Sequence, residues 1–397
     1  MTTTVESAAT RRGGAVGALA LGGFAIGTTE FATMGLLPQV ADTFDISIPT
    51  AGHAISLYAL GVVVGAPLIA GLAAKLPRKG LLIALTIALA AGNGLSAVAP
   101  NGTLLMVSRF VAGLPHGAYF GIAAVVAAAL VPPERRGTAV ARVMVGLTVA
   151  NLVGVPVATA AGQRIGWRVA YLAVALIALA TAVALARYLP RVPAARDAGV
   201  AAELRAFRRP AVWFALVTGT IGFGGMFAVY SYISPLTTEV GGLPAGAVPW
   251  VLATFGLGMT LGATFGGRFV DRSVTGALFG SLVAVAVVLL GFGLTASVPV
   301  LAVTWVFLLG FVTQVLASAL QVRLMDASPD APSLASSSNH SALNLANGAG
   351  AWLGGAAIAA GWGYTSTAWV GVGLSLSGLA VAGVAVLVER RRVLLPA

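Results

Sequence analysis

The chain contains no cysteine. That excludes a disulfide framework, a thiolate metal site and a cysteine nucleophile. Histidine is nearly as scarce: His53, His116 and His340 are scattered, which does not build a metal cluster. Charge is sparse as well. Only 9% of residues are charged, where soluble domains carry about 25%. No Walker-type Gly-rich loop ending in Gly-Lys-Ser/Thr is present, so ATP is not expected to drive the protein's work. The glycine-rich tracts lie inside apolar runs, which argues against a dinucleotide site. A membrane enzyme would need clustered acids, histidines or a nucleophile near the interface, and none is visible. Neither an enzyme nor a cofactor is expected.

What is present is apolar: 58% of the 397 residues are hydrophobic. A soluble fold of this length needs far more polar surface, so lipid is the expected solvent. A spanning helix needs about 20 mostly apolar residues, and runs of that length recur along the whole chain. They place helices at about 15–37, 52–74, 80–99, 103–130, 138–161, 168–187, 211–235, 248–267, 274–295, 299–320, 335–358 and 367–388. The first run follows Arg11 and Arg12 and is longer than the roughly 7–15 apolar residues of a secretory signal, so it reads as a retained span. The expected fold is an all-α integral membrane protein of twelve transmembrane helices. Its organisation is a tail at 1–14, a six-helix half at 15–187, a loop at 188–210, a second half at 211–388 and a tail at 389–397.

Arginine and lysine set the orientation. Of the 23, all but Arg109, Arg164 and Arg168 fall on one side if the N-terminus is inside. This set includes Lys75, Arg78 and Lys79 after helix two, Arg135, Arg136 and Arg142, the central-loop arginines Arg187 to Arg209, Arg268 and Arg272, Arg323, and Arg390 to Arg392. Both termini are therefore expected in the cytoplasm, with the protein in the cell membrane. The net charge of +11 reflects these loops and does not imply nucleic acid. The halves also look like repeats. Helix two carries Gly61, Gly65 and Gly71 before a basic turn. Helix eight carries Gly258, Gly262 and Gly267 before Arg268-Phe269-Val270-Asp271-Arg272, 196 to 197 residues later. Six-helix duplication with a binding site between the halves is a known transporter plan.

Specific motifs then carry a resemblance. Gly27-Thr28-Thr29-Glu30-Phe31 through Met34-Gly35-Leu36-Leu37-Pro38, Arg109-Phe110-Val111-Ala112-Gly113-Leu114-Pro115-His116-Gly117, and Asn151 to Gly162 with Gly154 and Pro156 are the segments. Together they resemble the major facilitator superfamily, in particular the bacterial sugar-efflux and chloramphenicol-efflux branch of its twelve-helix drug:proton antiporters. The resemblance covers nearly the whole chain. It implies proton-coupled efflux of a small organic molecule by alternating access. Import on the same fold, by symport or facilitation, is the alternative, since a membrane carboxyl suits both; a transport-dead receptor is a further one. The chain departs from the family pattern at Lys75, where the loop after helix two usually has an acid, and at Val155, which separates a usually adjacent Gly-Pro pair. The resemblance places gating and conformational roles on Gly71, Arg78, Gly154, Pro156, Gly267, Asp271 and Arg272.

Among the twelve acids only Glu30 falls inside an expected span. Ionisable residues at that depth are costly and usually functional. Desolvation disfavours a carboxyl's charged form, so such a group can load and release a proton; a structural carboxyl hydrogen-bonded between helices is the competing reading. Its helical face holds Gly23, Ile26, Gly27, Thr33 and Met34, whose small and polar members favour burial in the bundle. Arg109 lies in the outer half of helix four, as Glu30 does in helix one, and the two are expected to couple; snorkelling to the surface is the competing reading for Arg109. His116 reads as a satisfied core residue more readily than as a proton relay. The substrate cavity is expected among Phe31, Met34, His116, Phe223, Met226 and Tyr230, with Trp305, Gln314 and Asn344 facing it. Helix eleven is unusually polar, with Ser336, His340, Asn344 and Asn347 on one face, and ranks second as cavity lining. The expected partners are a small-molecule substrate, protons and membrane lipid, the protein acting as a monomer.

Overall fold

The computed structural model describes residues 2–72, 76–132, 135–191, 207–328 and 332–394, and among them the regular structure is helical throughout. Lys75, Glu134, Asp330 and most of the central loop, including Arg196, Asp197, Glu203 and Arg205, lie outside the described residues. Twelve long helices run in order: α1 (Thr2–Gly35), α2 (Ile48–Leu72), α3 (Arg78–Ala97), α4 (Gly102–Ala129), α5 (Arg136–Ile165), α6 (Trp167–Tyr188), α7 (Pro210–Tyr230), α8 (Val248–Arg272), α9 (Val274–Thr295), α10 (Pro299–Ala327), α11 (Pro332–Ala357) and α12 (Ser366–Leu394). Each matches one apolar run, as lipid demands: an unsatisfied backbone group in hydrocarbon costs several kcal/mol, so a crossing segment closes its own hydrogen bonds.

Several helices outrun their apolar stretch at the end rich in arginine, α8 to Arg272 and α10 to Ala327, because backbone hydrogen bonding continues into water after hydropathy stops. At the other end α7 stops at Tyr230, short of the expected 235, and a π turn at Leu236–Val240 follows. Among the described residues, eleven helices are apolar enough to count as spans by composition alone; α11 is the exception. Its polar side chains point inward, with Asn339, Asn344 and Asn347 buried, while Leu345 and Trp352 are exposed. Lipid therefore meets an apolar surface there too.

The internal duplication is visible atom by atom. Gly61 and Gly65 of α2 rest against the carbonyl oxygens of Phe110 and Leu114 in α4, and Gly113 of α4 rests against that of Tyr58. The same three contacts recur 197 residues on (61 to 258, 65 to 262, 113 to 310): Gly258 on Phe307, Gly262 on Phe311 and Gly310 on Phe255. Helices that pack without a hydrophobic drive between them use small residues to bring backbones together. Gly146 of α5 on Ala20 of α1 likewise has its counterpart in Gly350 of α11 on Gly224 of α7.

Alternation of helix direction puts Arg78, Arg136, Arg187, Arg209, Arg272 and Arg323 at one face of the bundle, the basic face, and Arg164 and Arg168 at the far face. Contacts between halves gather at the far face and midplane. Gln163 Nε2 donates to the Ala245 carbonyl at 3.0 Å. Gly52 of α2 packs on the Tyr232 ring, and Gly35 of α1 on Leu252 of α8. Deeper, Ser56 Oγ donates to the Gly348 carbonyl at 3.1 Å, and Gly256 of α8 sits on the backbone of Asn151. At the basic face, the hydrogen bonds among described residues join helices of one half: Lys79 to the Ala186 carbonyl in the first, and the Arg323–Glu389 pair in the second. The bundle is thus closed on its far side.

Candidate functional site

Glu30 is delivered to the centre by the small face of α1. Gly23 lies against the Val143 carbonyl and Phe120, and Gly27 against Leu147 and Ala150, so α4 and α5 press closely there. Ile26, Thr33 and Met34 are buried along with Glu30, which is 7% exposed. Among the described residues it is the only buried acid. Asn347 Nδ2 of α11 donates to Glu30 Oε1 at 3.3 Å, so the carboxylate is held from the opposite half.

Arg109 is fully buried, which removes the snorkelling alternative. Its Nη2 donates to the Thr29 carbonyl at 2.9 Å, and its Nη1 to Thr29 Oγ1 at 2.9 Å and Asn93 Oδ1 at 3.4 Å. The guanidinium lies over the rings of Tyr58 and Tyr171, at 4.5 and 4.9 Å. A planar, weakly hydrated cation suits such an aromatic slot. Glu30 and Arg109 share no ion pair among the described residues. Instead Arg109 grips the residue next to Glu30, and its charge acts on the carboxylate through space.

The remaining expected residues divide. Phe31 stacks with Phe227 (6.4 Å between centroids) and meets Tyr230 edge-on (5.9 Å), and Tyr230 lies on Phe255 at 4.0 Å. Phe223, Met226 and Met34 are buried in this same cluster, which therefore joins α1 to α7 and α8. His116 Nδ1 is 3.1 Å from Tyr58 Oη and packs edge-on against Phe120, whose ring stacks on His340. Asn344 is buried, with Nδ2 donating to the His340 carbonyl and Oδ1 unpartnered among the described residues. Trp305 is partly buried against the α9–α10 part of the same apolar core. Its Nε1 needs an acceptor and finds Thr295 Oγ1 at 2.9 Å, with the ring seated on Gly291 of α9. Gln314 packs against Gly262 of α8.

Of the residues with expected gating roles, Gly154 sits on Thr28 and Phe24 of α1. Pro156 follows a π turn at Ala150–Gly154; proline has no N–H to give, and the ladder there loosens accordingly. Gly71 lies in the last turn of α2, Arg78 begins α3, and Gly267, Asp271 and Arg272 lie at the basic end of α8, the last two exposed. Thr29, Asn93, Tyr58 and Tyr171, the ligands of Arg109, were not singled out from sequence; Asn93, a lone amide in an Ala/Gly run, was the available signal.

Tyr230 Oη is buried without a hydrogen-bond partner among the described residues. Removing such a group is nearly neutral or stabilising. Tyr230→Phe should therefore leave the melting temperature of the purified protein unchanged or raised; a fall of several degrees would show that the hydroxyl is satisfied after all.

The model of the Major Facilitator Superfamily matches residues 19–272. The inner membrane transport protein YdhP of Escherichia coli (strain K12) is 42% identical over 370 residues, 93% of each chain. A chloramphenicol resistance protein of Streptomyces lividans is 33% identical over 339 residues, 84% of this chain and 86% of that one. The crystal structure of a D-xylose-proton symporter superposes with a TM-score of 0.74 at 15% identity, covering 93% of this chain and 96% of the other.

Proposed function

The chain belongs to the major facilitator superfamily, and within it we propose that this protein is a proton-coupled exporter of a small organic molecule. The observation that carries this reading is Glu30: a carboxyl buried at the meeting of the two halves, beside the buried charge of Arg109 and bonded to Asn347 of the other half. A proton arriving there changes the charge of the site where the halves touch, which is what coupling requires. Phe31, Met34, Phe223, Met226 and Tyr230 supply an apolar and aromatic wall next to it, suited to a small, partly apolar ligand. The name of the Streptomyces lividans relative supports export of a drug-like molecule.

The basic face is cytoplasmic in this reading, by arginine distribution. Gly71, Arg78, Gly267, Asp271 and Arg272 serve the gate at that face, and Gly154 and Pro156 the gate at the far one. External protons load Glu30 when the far side is open, and substrate leaves by the same opening.

The test is proton release from purified protein on adding candidate substrates, followed by flux in proteoliposomes under an imposed pH gradient. Wild type should release protons on binding substrate, and Glu30→Gln should not. The gradient should drive substrate against the direction of proton flow. Unchanged release in Glu30→Gln would make the carboxyl structural, and substrate moving with the protons would make the protein a symporter.

A further inference from the structure

Asn347 is fully buried on α11, opposite Glu30. Its Nδ2 donates to Glu30 Oε1 at 3.3 Å, and its Oδ1, also buried, has no partner among the described residues. An amide placed this way offers a donor to a carboxylate and an acceptor to a carboxylic acid. With Glu30 ionised, only the donor is used. With Glu30 protonated, its O–H can donate to Oδ1 while Nδ2 donates to the carboxyl's other oxygen, closing a two-bond pair and satisfying the orphan acceptor.

We propose that Asn347 is the positioning residue that reads the protonation state of Glu30 and converts it into a preference for the far-side-closed conformation. This rests on Glu30 carrying the coupled proton. The next residue, Gly348, is pressed against Ser56 and Ala59 of α2, and its carbonyl accepts from Ser56 Oγ at 3.1 Å. Tightening the Glu30–Asn347 pair therefore tightens the contact between halves at the same level. The sign suits an exporter. After releasing substrate outward, an exporter returns empty and protonated, so the proton itself must favour closing the far side. A pair completed by that proton in the closed state supplies this bias.

The other titratable and charged groups around the pair are Arg109 of α4, which acts on Glu30 through space, Tyr58 of α2 and Tyr171 of α6 against Arg109, Tyr230 of α7 against Phe31, His116 bonded to Tyr58, and His340 on α11 itself. Arginine and tyrosine hold their charge state across the neutral range; histidine does not. The two histidines are therefore the controls.

The chain's lack of cysteine makes the test direct. Gln163→Cys and Ala245→Cys place spin labels on the two residues that bridge the halves at the far face. Their distance distribution is measured in lipid nanodiscs between about pH 5 and pH 9, a range that spans the titration of an ordinary histidine. Acidification should raise the closed-to-open ratio about tenfold, about 1.4 kcal/mol. Glu30→Gln, whose amide mimics the neutral acid, should hold the short distance at every pH. Asn347→Leu should cut the pH shift to under about twofold on the same scale, and Asn347→Ala is read instead if the leucine variant does not reach the membrane. A full shift in the Asn347 variant, with none in Glu30→Gln, overturns the role of Asn347 and leaves that of Glu30. No shift in wild type, or a shift removed by His116→Gln or His340→Gln while Glu30→Gln keeps it, overturns both.

Discussion

Arg109→Gln is expected to lower transport on the order of 100-fold or more, and Arg109→Lys to recover little of it. The guanidinium uses two of its nitrogens on Thr29 and Asn93 and lies over the rings of Tyr58 and Tyr171. A lysine ammonium is a compact point charge without planar faces or a fixed fork, so it fits neither the aromatic slot nor the carbonyl and hydroxyl of Thr29 together. Removing the cation also strands Glu30. A buried carboxylate without a nearby counter-charge is costly, and the carboxyl evades that cost by keeping its proton. Arg109→Gln should therefore still bind substrate but fail to release a proton on binding. Glu30→Gln combined with Arg109→Gln removes both charges, so its melting temperature should exceed that of Arg109→Gln alone while transport stays absent. A double variant whose destabilisation is the sum of the two single ones would show that the charges do not sense each other, and would remove Arg109 from the coupling site.

The twelve helices were legible because lipid leaves a crossing segment no other way to satisfy its backbone. Even α11, too polar to register as a span by composition, was placed at 335–358 with the other runs, and its polar residues were seen to share one face. Glu30 and Arg109 were legible for the same reason: a charge inside an apolar run has to be explained. What surrounds them was not. Thr29, Tyr58, Asn93 and Tyr171 come from α1, α2, α3 and α6, and periodicity along one helix carries no information about the rotation of its neighbour. The polar stripe of α11 was visible, but whether Asn344 or Asn347 meets Glu30 depends on how far α11 is rotated and shifted along its axis. Trp305 illustrates the same limit. Helix α10 is apolar all round, so no face announces itself, and the indole went to the acceptor and the glycine gap offered by α9. The pairing of Gly61 with Gly258 and Gly65 with Gly262 was readable as a repeat, whereas the carbonyls they admit were not.

Those glycines support a prediction that separates packing from mere glycine content. Gly61→Ala and Gly258→Ala should each destabilise the protein by about 1–3 kcal/mol, as overpacking a close contact does, and by similar amounts because the two sites are equivalent. A methyl group at either position overlaps a backbone carbonyl oxygen, that of Phe110 or of Phe307, and helix backbone cannot yield as a flexible side chain can. The α2–α4 and α8–α10 pairs would have to separate, losing the dispersion contacts that hold helices together in lipid. Gly94 in α3 and Gly280 in α9 are the controls, since a methyl there meets open space. Alanine is favoured over glycine in a helix by about 0.8–1 kcal/mol, so Gly94→Ala and Gly280→Ala should raise the melting temperature of the detergent-purified protein. Gly267→Ala belongs with the controls on packing grounds, so a loss of transport there without a loss of stability would mark a need for backbone freedom at the gate. Equal stability for Gly61→Ala and Gly94→Ala would mean that the α2–α4 contact is looser than the structure places it, and the backbone-to-backbone account of the duplicated halves would fall with it.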